Sequence, residues 1–182
     1  VFSGKEHDET DIHAYFSSAF SISDNLRLDV KLNVKDEKIH EDPSSEDYDE
    51  DATVTTLSIK LAESFFSSFS SYLEITAENV DADGKYMDNT VSGIEINLKY
   101  TFTSFVISLG ADYEVETYQT EDPLYGKTIK NSNTQIQLKG LYSLTSDLLL
   151  SGRLEQETQA SNEESNEYVN NTVALSMIYV FK

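Results

Sequence analysis

Residues 94–116 read IEINLKYTFTSFVISLGADYEVE. From Ile94 every second residue is apolar: Ile94, Ile96, Leu98, Tyr100 and Phe102, with Glu95, Asn97, Lys99 and Thr101 between them. After Thr103-Ser104 the alternation resumes as Phe105, Ile107, Leu109, Ala111, Tyr113 and Val115, against Ser108, Gly110, Asp112, Glu114 and Glu116. A period of two over this length is the mark of a β-strand with one apolar and one polar face. Two such runs across a two-residue break predict a hairpin.

The same pattern runs outward in both directions. It predicts nine strands, over residues 11–23, 26–35, 53–63, 69–80, 91–103, 105–118, 133–144, 148–158 and 170–182. The connections alternate. Those at 23–25, 64–68, 103–104 and 145–147 are short, and those at 36–52, 81–89, 119–132 and 159–170 are long and acidic. Within 36–51, nine of the sixteen residues are Asp or Glu. Neighbours joined in this way form an antiparallel meander. A weak repeat marks the descent from three of the long loops, at Met87–Val91, Lys130–Thr134 and Val169–Val173.

Composition narrows the function. The 182 residues carry 33 Asp and Glu against 13 Lys and Arg, and the pI is near 4.2. A chain this acidic lacks the basic face that nucleic acid requires. It has no Cys, hence no disulfide framework and no thiolate chemistry. No apolar run is long enough for a transmembrane helix. His7, His13 and His40 show no ligand spacing, and no G-x-S-x-G occurs, so the residues point to no enzyme.

One loop resembles the start of a calcium loop. Asn79, Asp81, Asp83 and Asp88 place oxygens around Gly84. Thr90 stands where a bidentate acid is needed, and the flanks are strands, so the plainer reading is turn geometry. Acidic loops also suit divalent cations at a lipopolysaccharide surface. No other cofactor is implied.

Alternation fits a soluble sandwich, with apolar residues inward, or a membrane barrel, with apolar residues toward lipid. Three features favour the barrel. Aromatics cluster at the two ends of the stripes, with aliphatic residues in the middle, as interface girdles do. The strands are longer than usual for soluble sheets. All long loops lie on one side.

The closing strand, with Tyr179-Val180-Phe181 after alternating Val173, Leu175 and Met177, is similar to the C-terminal assembly signal of Gram-negative outer-membrane β-barrels; Lys182 after the aromatic departs from the commonest form. Residues 148–181 also look like the ends of large porin-like barrels, including those that sheathe multihaem cytochromes. The resemblance implies an up-and-down transmembrane β-barrel in the bacterial outer membrane. It implies lipid, lipopolysaccharide and the barrel-assembly machinery as partners, and a porin-like channel or a conduit around a lumenal protein as the function. Tyr179 and Phe181 would be the assembly signal. Arg27, Lys31, Lys60, Glu74, Glu95, Lys99, Asp112, Glu114, Lys139, Arg153 and Glu155 would line the pore, along with Asp29, Lys35, Glu78, Glu116 and Glu157.

Nine strands leave the ends of the meander on opposite sides, unlike the even count usual in this class. The expectation is one barrel segment over 1–182, in which 1–10 is an outer loop or the end of a preceding strand and 11–182 is the meander. Further strands or chains would complete the barrel. Two alternatives stand: a structural or adhesive surface barrel acting through its acidic loops, and a soluble secreted β-sandwich.

Overall fold

The computed structural model describes residues 9–39 and 51–179. They form one nine-stranded antiparallel sheet, each strand paired with its neighbours in the chain. The strands are β1 (Glu9–Ser21), β2 (Leu26–Ile39), β3 (Ala52–Phe65), β4 (Phe69–Ala82), β5 (Asn89–Thr101), β6 (Phe105–Tyr118), β7 (Lys130–Ser143), β8 (Leu148–Ser161) and β9 (Tyr168–Tyr179). The only helical turn among the described residues is a 3-10 turn at Glu164–Asn166, and no helix there is long and apolar enough to cross a membrane.

All nine expected strands are present, with shifted ends. β1 starts at Glu9 rather than residue 11, so Glu9 and Thr10 belong to a strand and not to an outer loop. It stops at Ser21 because the amides of Ile22 and Ser23 both turn to the carbonyl of Leu26, closing the first hairpin. On the long-loop side the strands extend further than periodicity alone indicates. β4 reaches Ala82, β7 starts at Lys130 and β8 reaches Ser161, so those loops shrink to 83–88, 119–129 and 162–167. Polar residues extend these strands because cross-strand side-chain bonds such as Ser161 to Asn131 continue the pairing beyond the apolar stripe.

The sheet is a single layer. The buried apolar residues among those described are Ala52 and Ile129 alone. Large apolar side chains from every strand are instead exposed, reaching 74% at Val173 and 80% at Leu175. Most of them share one face, whereas Tyr15, Tyr168 and Ile178 lie on the other. The pairing sets Leu28, Leu61, Leu73, Ile96, Ala111 and Ile136 in one cross-strand row, with Leu32, Leu57 and Ala77 in another.

Exposure is inverted with respect to polarity. Along β4, Ile75, Ala77 and Asn79 are exposed, whereas Glu74, Thr76 and Glu78 on the other face are half-buried. β5 repeats this: Ile94 and Ile96 are exposed, and Glu95 and Asn97 are sheltered. In a single layer only curvature can shelter one face, so the sheet curls with its polar face concave. The described sheet stays open, with β1 and β9 as its two edges.

At the short-turn end aromatic rings run across the apolar face. Phe65, Phe69, Tyr100, Phe102 and Phe105 follow one another with centroids 5.8, 6.5, 4.4 and 6.1 Å apart. Tyr142 pairs with Phe105 and continues the line. Rings of this size bring large apolar area and favourable tilted contacts to one height of the sheet. The turn below Phe65 holds Phe66 in the left-handed region, at φ 56°, with its ring 91% exposed.

Candidate functional site

The concave face is the one surface where charge, hydrogen bonding and shelter coincide. Strand alternation and the pairing register bring all eleven of the singled-out charged residues onto it, from Arg27 on β2 to Glu155 on β8.

The middle row runs Asp29, Lys60, Glu74, Glu95, Asp112, Gln135 and Glu157, each directly opposite the next. Three acids therefore face one another across β4, β5 and β6. Like charges directly opposite destabilise a sheet unless something holds them. Lys60 Nζ lies 2.8 Å from Glu74 and 3.4 Å from the centre of the Tyr72 ring. The Ser58 hydroxyl donates to the other oxygen of Glu74, and the Tyr72 hydroxyl donates to Glu95 at 2.5 Å. Asp112 and Glu114 have neither a hydrogen-bonding nor an ion-pair partner among the described residues, so water must solvate them.

Towards the long loops the same device recurs. Thr56 donates to Glu78 at 2.7 Å, Asn131 to Glu116 at 2.8 Å, Asn133 to Glu157 at 2.9 Å, and Tyr168 to Glu157 at 2.6 Å. Each acid is held by a neutral donor on an adjacent strand. Serine, threonine, asparagine and tyrosine thus act in the site although the charge pattern did not select them. Their signal is register, which places a hydroxyl or amide beside each of these held carboxylates.

Towards the short turns the sign reverses. Lys99, Ser108, Lys139 and Arg153 share one row, two residues below the row of Tyr72, Asn97 and Gly110. Arg27 pairs with Asp29 at 2.7 Å, and Arg153 with Glu155. Lys31 lies opposite Ser58 in the row above Asp29.

Above the face, three loops are stitched together. The Gln119 amide donates to the carbonyl of Asp88 at 2.9 Å, tying loop 119–129 to loop 83–88. Lys127 donates to the Asn162 carbonyl and pairs with Glu163 at 3.1 Å. Asn162 in turn donates to the Thr128 carbonyl at 2.7 Å and accepts from the Lys130 amide at 2.9 Å. The hydrogen bond from Lys127 holds the Glu163 carboxyl below its ordinary value.

Asn79 and Asp81 lie within β4, opposite Thr55 and Thr53. The Asp83 amide donates to the Asp51 carbonyl, and Asp88 Oδ1 accepts the Ala82 amide at 2.7 Å, so Asp88 serves the geometry of the turn. No three His, Asp or Glu converge to hold a metal among the described residues. His13 lies on the concave face opposite Lys35, whereas His7 and His40 fall outside the described residues. Of the two residues expected to form an assembly signal, Tyr179 ends β9, and Phe181 falls outside the described residues.

No curated protein matches the chain. A family profile described as "Protein of unknown function (DUF2860)" matches residues 5–148, from ahead of β1 to the first residue of β8. By a match over most of its length, the chain belongs to the DUF2860 family.

Proposed function

We propose that this protein is an integral β-barrel of the bacterial outer membrane, acting as a porin-like channel or as a conduit around a lumenal partner. One observation carries the reading: along β4 and β5 exposure runs opposite to polarity, with Ile75, Ala77, Ile94 and Ile96 exposed and Glu74, Glu78 and Glu95 half-buried. A soluble protein does not leave a continuous apolar face of this extent in water. Lipid removes the penalty, and a hydrated lumen accepts the charged face. The aromatic line at one height suits the headgroup level, and the strand lengths suit a tilted crossing.

On this reading the eleven charged residues line the lumen, and lipid, lipopolysaccharide and the assembly machinery are partners. The two open edges call for further strands. β1 and β9 run in the same direction, because nine strands alternate between them. Closing one on the other would make a parallel seam. A second copy in the same membrane orientation would meet the same conflict at each junction. Closure by antiparallel pairs alone therefore needs an odd number of additional strands.

The test is extraction and conductance. The full protein should partition into detergent, migrate differently before and after heating, and open steps of current in planar bilayers. A stable monomer in buffer without detergent would overturn the barrel. A barrel that inserts but never conducts would favour the second reading, a structural or adhesive surface barrel acting through its loops, for which the stitching of the three loops speaks.

A further inference from the structure

We infer that the concave face carries a binding site for a small oxyanion of the phosphate or sulfate class, centred on Lys139 and Arg153 near the short-turn end. Four observations support it. Lys139 and Arg153 are directly opposite each other on β7 and β8, a like-charge pair that an anion between them would relieve. Lys99 stands in the same row one strand beyond Ser108, roughly 10 Å from Lys139 at ordinary strand spacing. A cavity of about 360 Å³ opens beside Lys139 and Arg153, lined also by Ser108, Ser151 and Ser176 over a floor that includes Val106, Leu141 and Ala174, with no acidic side chain in its lining. In a chain of formal net charge -20, its polar side chains are ammonium, guanidinium and hydroxyl groups, all able to donate.

The pairing state of these groups adds to the case. Neither Lys139 nor Lys99 has a carboxylate partner among the described residues, in contrast to Lys60 and Lys127. Arg153 engages Glu155 through Nε and one Nη, so its other N–H groups stay available for an oxyanion. The Ser151 and Ser176 hydroxyls meet at 2.6 Å, and only one of them can donate in that contact, leaving the other's proton for a ligand. The acidic row lies two rows above, so an anion held here is separated from Glu95 and Asp112 by roughly 13 Å along the strands. The site needs only the polar face and stands whether or not the protein conducts.

The experiment is calorimetric titration of the full protein in detergent with inorganic phosphate and with sulfate, with acetate as a singly charged comparator. Phosphate and sulfate should bind saturably, and acetate more weakly. Lys139→Gln and Arg153→Gln should each weaken phosphate by about tenfold, the loss expected for one charge-assisted hydrogen bond. Lys60→Gln, which removes an equal charge from the same face, should leave phosphate affinity unchanged. Circular dichroism confirms that each variant keeps its sheet, and the two single variants guard against the failure of either. Absence of saturable phosphate binding to the unaltered protein would overturn the inference. So would full binding in both Lys139→Gln and Arg153→Gln, or an equal loss in Lys60→Gln, which would mark a diffuse charge effect.

Discussion

Glu74 and Glu95 show how single residues make a charged face tolerable. The first is held by Lys60 and Ser58, the second by Tyr72. Removing the lysine leaves Glu74 directly opposite Glu95 without the cation that pairs with it from β3. Lys60→Met should therefore lower stability by about 1–3 kcal/mol, and Tyr72→Phe by about 1 kcal/mol, read as a shift in urea midpoint. Equal stability in both variants would mean that water already solvates the two acids. Phe66 works in the other direction. A left-handed φ of 56° is unfavourable for a residue with a side chain, and its exposed ring recovers little from packing. Phe66→Asn, which tolerates that conformation, should raise stability by up to about 1 kcal/mol in the same assay. A loss instead would show that the ring anchors the turn.

At the scale of elements, the apolar stripes should behave according to depth. Ile96 lies mid-strand on β5, and Phe102 lies just past its end in the aromatic line. If the stripe faces lipid, Ile96→Arg costs about 2–4 kcal/mol and Phe102→Arg far less of that electrostatic penalty. Refolding into vesicles at a series of urea concentrations measures both. A near-neutral Ile96→Arg would place the stripe in water. The loops carry a pH signature of their own. Glu163 is held below its ordinary value by Lys127, so the folded contact is favoured fully above the ordinary glutamate range and is lost as pH falls through the depressed value. Proteolysis of loops 119–129 and 162–167 should accelerate on acidification past that range. Lys127→Gln should show the faster cleavage already at neutral pH. Cleavage independent of pH in both forms would separate the loop order from this pair.

For the whole molecule, closure is the decisive property. The parallel direction of β1 and β9 predicts that the two do not pair directly. The chain has no Cys, so paired cysteines introduced at Ser17 and Ser176 report this cleanly. No disulfide should form between them within one chain in the membrane-inserted protein, and rapid formation would demonstrate a nine-stranded closure with a parallel seam. The curl carries the same weight, because it converts an alternation compatible with sandwich or barrel into an outside and an inside. The charged face is then divided by height into an acidic middle and a basic short-turn end, a division invisible in the net charge.

How much of this was legible beforehand follows from the range of each interaction. Strand positions and faces come from a period of two, a local property of residues such as Ile94 to Lys99. Register across the short turns is nearly as local, since turn 66–68 alone dictates that Lys60 meets Glu74, and turn 144–147 that Lys139 meets Arg153. Register across the long loops is not. Nothing in residues 83–88 or 119–129 announces that Glu74 faces Glu95, or that Asp112 faces Gln135, because that pairing is decided by the fit of whole strands. The donors Tyr72, Asn131 and Tyr168, the opposed acids of the middle row and the isolation of Lys139 from any carboxylate all depend on it. The amino-acid sequence by itself determined nine amphipathic strands in a meander. Only the tertiary structure decided which side chains meet and which face is concave, because register and curvature are sums over contacts distant along the chain.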